Sequence, residues 1–117
     1  MDCNQYQESA HKFAAYDETP YYPLLGLCEE AGEVAGKVAK YLRKHGGYFP
    51  MINVGDRTDE EDAFIVDMTK ELGDVLWMVA ECCSILHLNM DDVAQKNLSK
   101  LTDRLNRGVI VGEGDNR

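Results

Sequence analysis

An all-α domain built on four helices is the fold class this sequence predicts, and three observations carry it. No stretch alternates apolar and polar residues with the period of two that a half-buried strand requires. Two long segments, residues 24–45 and 60–87, carry helical periodicity instead. Residues that start and stop helices punctuate the chain: "ETPYYP" at 18–23, Gly46-Gly47, Asn89 and Gly108. The length, 117 residues, and the hydrophobic content, 44%, suit one domain over 1–117 with a single core.

The elements follow in order. Residues 2–17 read as a first helix, and 18–23 as a turn holding two prolines. Residues 24–45 form a long helix that Gly46-Gly47 closes. The loop 46–59, "GGYFPMINVGDRTD", is long for a compact domain, and such loops are often functional. Residues 60–87 form a third helix with acidic residues in its first turn. Asn89 caps a fourth helix that Gly108 ends, and the glycine-rich tail 108–117 is not helical.

Composition excludes several classes. No apolar run approaches the ~20 residues of a membrane span. The N-terminus lacks a basic region followed by an apolar one, so no signal peptide is expected. Cys3, Cys28, Cys82 and Cys83 show neither CxxC nor finger-like spacing, which favours reduced thiols in a cytoplasmic protein. A net charge of −9 argues against a nucleic acid polymer as partner, because phosphate backbones bind basic surfaces. It leaves room for a small phosphorylated ligand carried with a metal ion.

The informative residues are acids inside apolar runs. In "LCEEAGEVAGKVAK", Glu33 lies about 40° and Glu30 about 100° around the helix from Glu29. Leu24, Leu27, Cys28, Ala31, Val34, Ala35, Val38 and Leu42 crowd the opposite side, while Lys37, Lys40 and Lys44 continue the acidic stripe. Alone, this is an ordinary amphipathic helix with a Glu33–Lys37 pair. In "KELGDVLWMVA", however, Glu71 lies among Phe64, Met68, Val75, Met78 and Cys82, with Asp74 at the border of that arc. An ionised carboxylate there must be neutralised, paired, or bound to a cation. Antiparallel helices 2 and 3 facing Glu30 and Glu33 toward Glu71 and Asp74 would assemble an all-oxygen site, which favours Mg²⁺ or Mn²⁺ over Zn²⁺. On helix 4, Val93, Ala94, Leu98, Leu101 and Leu105 mark the stripe expected to be buried. Asn97 lies within it and Lys100 and Arg104 on its edge, either as a buried amide with solvated bases or as donors to phosphate oxygens.

Together these residues resemble the MazG-like superfamily of all-α nucleoside triphosphate pyrophosphohydrolases. The pattern EExxE, spacer, ExxD reads here as Glu29-Glu30-Ala-Gly-Glu33 and Glu71-Leu-Gly-Asp74. "NLSKLTDRLNRG" and "GEGDNR" resemble the short, single-domain members, so the likeness runs from about Tyr6 to Arg117. The resemblance implies Mg²⁺-dependent conversion of a (d)NTP to a (d)NMP and pyrophosphate, with Glu30, Glu33, Glu71 and Asp74 as metal ligands. It implies that Glu29 orients or deprotonates the attacking water. It places Asn97, Lys100 and Arg104 near the substrate, Lys37 and Lys40 near its phosphates, and Asp115, Asn116 and Arg117 folded back toward a site. It also implies a homodimer or homotetramer, which the nearly all-round apolar surface of helix 3 independently favours. Rival readings are a dUTP or phosphoribosyl-ATP pyrophosphatase of the same superfamily and a non-enzymatic helical interaction module. A di-iron bundle is disfavoured, since Glu8-Ser-Ala-His11 is the sole ExxH.

Overall fold

The computed structural model describes residues 1–16, 19–49 and 54–117. Among them stand four α-helices, one short 3₁₀ turn (Val54–Asp56) and no strand: α1 (Cys3–His11), α2 (Tyr22–Lys44), α3 (Asp59–Ile85) and α4 (Met90–Asn106). The all-α, four-helix expectation holds. No helix among the described residues is long and apolar enough to cross a membrane. Within the expected loop 46–59, residues 50–53 lie outside the described residues.

Local chemistry explains most boundaries. Asp2 and Gln5 form a capping box for α1, and Thr58 and Glu61 another for α3, whose first turn carries four acids facing the positive end of the helix dipole. Pro23 sits in the first turn of α2, where its missing N–H is harmless, so the helix starts at Tyr22 rather than Leu24. Gly46 and Gly47 adopt φ +62° and +87°, and Gly47 N donates to Leu42 O at 2.8 Å. Asn89 caps α4 by accepting from Asp92 N, and Gly108 ends it at φ +69°. α3 closes on His87 at φ +56°, with Leu88 N bonded to Cys83 O at 2.8 Å. The first helix is shorter than expected: it stops at His11, and Ala14–Tyr16 is not helical. Tertiary bonds draw the chain away there, since His11 and Tyr16 both reach a carboxylate of α3.

α2 and α3 form an antiparallel hairpin, the most extensive packing in the chain, and α1 lies against α3. Ion pairs reveal the hairpin's register: Lys37 faces Asp67 and Lys44 faces Glu60, so rungs repeat every seven residues, about two turns, on each helix. The packing is tight at Gly26, where an added Cβ would meet Met78 Sδ at 2.7 Å. Tyr41 and Phe64 close the far end, ring centroids 4.4 Å apart.

Two expected faces are turned differently. α2 buries Pro23, Gly26 and Tyr41 and half-buries Glu30, Val34 and Lys37, so the side carrying Glu30 meets α3. Leu24, Cys28, Ala31 and Ala35, expected inside, are exposed. The stripe of α4 is also uncovered: Leu98 is 58% and Leu105 65% exposed. The cause is that α4 docks by its first turn on α1, through Met90 N to Gln7, Asp91 N to Asn4 and Cys3 N to Asp91, and then projects outward. The radius of gyration is 17.4 Å, against about 13 Å for a compact chain of about 100 residues.

Candidate metal centre

The hairpin register continues one rung beyond the Lys37–Asp67 pair and brings Glu30 opposite Asp74. Glu71, one turn from Asp74, completes the group: carboxylate oxygens of Glu30, Glu71 and Asp74 all lie within 4.8 Å of one another. Glu30 and Glu71 are half-buried and Asp74 exposed. Burial first, and then the charges of Asp74, Glu33, Glu29 and Glu71, push the Glu30 carboxyl above its ordinary value.

The expected need to compensate Glu71 is met partly by α2. Lys37 Nζ lies 3.3 Å from Glu71 Oε1 and 4.0 Å from Asp67 Oδ2. One lysine against three converging acids leaves a net negative pocket whose donors are all hard oxygens. That set fits an Mg²⁺-type cation, whose charge would favour the ionised carboxylates. Glu30, Glu71 and Asp74 are the residues that would hold it.

The other candidate residues are distributed as follows. Glu33 and Glu29 are exposed on α2 and lie outside the close group, although their charges reach Glu30. Lys37, Lys40 and Lys44 line a cleft of about 230 Å³ with Tyr41, His45 and Phe64. Asn97 is exposed on the projecting α4. Lys100 Nζ and Arg104 Nη2 both bind Asp115 Oδ1, at 3.2 and 2.9 Å, and Arg104 Nη2 also donates to Asp115 O at 2.6 Å. Arg117 curls into the same tail, donating to Gly114 O and Ile110 O, while its own backbone oxygen accepts from Arg107. The tail therefore folds back onto α4. Phe13 and Trp77 line an apolar cavity of about 610 Å³ with Tyr6 and Asp74, and Trp77 Nε1 is buried without a partner among the described residues. Phe49 instead packs edge-on against Phe64 at the hairpin's far end.

Sequence reasoning missed Glu81. It is fully buried, and its Oε2 accepts from His11 Nδ1–H at 3.0 Å and from the Tyr16 hydroxyl. The signal was available: seven residues beyond Asp74, it lies within about 20° of the same face of α3.

Comparison with known proteins identifies the family of the chain. Residues 19–109 match the MazG nucleotide pyrophosphohydrolase domain, a span that includes all three clustered carboxylates. The "Gene 37 protein" of Mycobacterium phage L5 is 43% identical over 96 residues, covering 82% of this chain and 75% of that protein. No solved structure matches. With four helices, the paired acidic motifs brought together between α2 and α3, and a domain match over most of its length, the chain belongs to the MazG nucleotide pyrophosphohydrolase family.

Proposed function

We propose that the protein hydrolyses a (d)NTP to a (d)NMP and pyrophosphate in a Mg²⁺-dependent reaction, with Mn²⁺ as an alternative ion, in the control or sanitation of nucleotide pools. The observation that carries this reading is the convergence of Glu30, Glu71 and Asp74 across the hairpin. Bound there, the ion supplies charge neutralisation on the phosphates and a water of lowered pKa. Glu33, one turn from Glu30, would join the ligand set once the exposed end of the site closes on substrate. Glu29 would take the proton of the attacking water. The cleft holding Lys37, Lys40 and Lys44 runs toward the hairpin end; Glu60 and Asp67 share its lining and pair with Lys44 and Lys37, so the triphosphate would meet Lys40 and compete with the two acids for the other lysines. The apolar cavity beside Asp74 would take the base.

A screen of canonical and damaged (d)NTPs with Mg²⁺, dUTP and phosphoribosyl-ATP included, tests the reading. A monophosphate and pyrophosphate are expected; a diphosphate and inorganic phosphate would overturn it. A chain that turns over nothing and binds no Mg²⁺ would instead support the interaction-module reading.

The same reading includes a homodimer or homotetramer. Leu72, Leu76, Leu98, Leu101 and Leu105 are left substantially exposed, and α4 projects with its apolar stripe uncovered. A run of exposed leucines on a projecting helix is the kind of surface that a partner copy covers. A second copy would cover it and bring α4, with Asn97, Lys100, Arg104 and Arg117, toward a neighbour's site. Sedimentation equilibrium is expected to give a multiple of 13.2 kDa; the monomer mass at every loading would refute this part. A cytoplasmic location suits the four free thiols, of which Cys82 and Cys83 are held above the usual thiol range mainly by burial.

A further inference from the structure

Glu81 is the most deeply buried carboxylate among the described residues, at 0% exposure. Burying such a group is unfavourable unless its oxygens are well partnered. Only one of them is. Oε2 accepts from both His11 Nδ1–H and the Tyr16 hydroxyl, while Oε1 is buried with no partner among the described residues. The hairpin register sets Pro23 opposite Glu81; Pro23 is likewise fully buried and has no N–H to give. A leucine would fill this position with fewer penalties, so the two donors that Glu81 fastens are the feature to explain.

Those donors belong to different pieces of the chain. His11 is the last residue of α1, and Tyr16 stands in the link to α2. Each piece walls a cavity beside the carboxylate cluster. α1 contributes Tyr6 and Ala10, and the link contributes Phe13, to the 610 Å³ cavity that contains Asp74. Tyr16 faces Glu30 and Met78 across a second cavity of about 280 Å³. Trp77 lies between the two and lines both. The Tyr6 hydroxyl is pushed above its ordinary value by burial, then by Asp74 and Glu81, so Glu81 shares its surroundings with the cluster.

We infer that Glu81 is a positioning residue for substrate: it fastens α1 and the α1–α2 link to α3, so that both cavities flanking the carboxylates keep their walls. Directional hydrogen bonds to one buried oxygen fix those walls more sharply than apolar contact alone. The inference rests on the proposed nucleotide reading for the identity of the ligand, but the fastening itself exists without any ligand.

The test uses the full chain carrying Glu81→Ala, Glu81→Gln or Tyr16→Phe. Glu81→Ala is expected to raise KM for the preferred (d)NTP about tenfold, the scale of losing charge-assisted hydrogen bonds, and Tyr16→Phe by a smaller factor. In both, kcat and the Mg²⁺ dependence should change by less than about threefold. Glu81→Gln, whose amide oxygen accepts from both donors, should restore most of the loss. Hydrogen exchange of amides 12–16 in substrate-free protein should quicken about tenfold in Glu81→Ala and stay near wild type in Glu81→Gln. Should Glu81→Ala fail to fold, Tyr16→Phe carries both measurements. A fall in kcat at constant KM would overturn the positioning role, as would unchanged exchange. A chain that hydrolyses no nucleotide would sink the functional reading, while the exchange data would still decide whether the clamp exists.

Discussion

The two ends of the α2–α3 hairpin use the same residue types to opposite effect. At the far end the charges across the hairpin are matched: Glu60 bonds Lys44 Nζ at 2.6 Å and His45 Nε2 at 3.2 Å. His45 stacks on Tyr41, and Tyr41 packs at a tilt against Phe64. One rung in, Lys37 faces Asp67. At the next rung the alternation breaks, and Glu30 meets Asp74 where a lysine would have continued the ladder. A structural hairpin would complete the pattern. Placing an acid against an acid, and Glu71 beside them, gives up stability at one rung and, under the proposed function, creates a cation site there.

The sharpest way to break this comparison is to finish the ladder. Glu30→Lys should abolish turnover, remove any Mg²⁺ effect on melting, and stabilise the metal-free protein by about 1 kcal/mol, or roughly 4 °C. A melting temperature below wild type, in chelator, would show that the rung is not repulsive. Neutralising single acids is milder. Under the proposed function, Glu30→Gln, Glu71→Gln and Asp74→Asn should each lower kcat about 10²-fold or more, since several kcal/mol of charge stabilisation would depend on the ion they would hold. Mg²⁺ should correspondingly raise the wild-type melting temperature, and raise it less in each variant.

Smaller effects separate pairing from ligation at Glu71. Its partner Lys37 is 41% exposed, so a stranded Lys37 can turn to water. Glu71→Leu should therefore change metal-free stability by no more than about 1 kcal/mol while eliminating activity. Chelator melts that fall much further would make Glu71 chiefly a structural partner. The smallest effect lies at the closed end. The Tyr41 carbonyl and then Glu60 raise the His45 pKa above its ordinary 6.5, so that stabilisation is full below that pH and fades as pH rises through the higher folded value. Glu60 is shifted the other way, chiefly by its bonds to Lys44 and His45, and its contribution fades only toward acid. The melting difference between wild type and His45→Gln should shrink from pH 6 to pH 8. A difference independent of pH would mean that His45 acts through stacking alone.

Much of this was legible in the sequence, because caps and helical periods are local signals. Asn89, Gly46 and Gly108 act where they stand, and Glu71 was conspicuous because apolar residues surround it along one helix. What failed were inferences about which neighbour covers a face. Leu24, Cys28 and Ala31 form an apolar side of α2, yet the side that meets α3 carries Glu30 and Lys37. Leu98 and Leu105 look buried, but their helix leaves the body of the protomer. Periodicity tells which residues share a side, not what lies opposite. The end of α1 was obscured for a related reason: it depends on Glu81, 70 residues away in the chain.

The contact between Gly26 and Met78 reaches beyond packing. It stands one helical turn from the Glu30–Asp74 rung, and a single methyl group there would collide with a sulfur that is almost wholly enclosed. Divalent ions differ by amounts of that size, with oxygen distances of about 2.0–2.1 Å for magnesium and about 2.3–2.6 Å for calcium. Under the proposed reading, Gly26 acts as a spacer that sets the gauge of the ion. Gly26→Ala should then shift the calibration toward the larger radius, measured as the ratio of Ca²⁺ to Mg²⁺ affinity, and trimming Met78 to Ala in the same chain should shift it back.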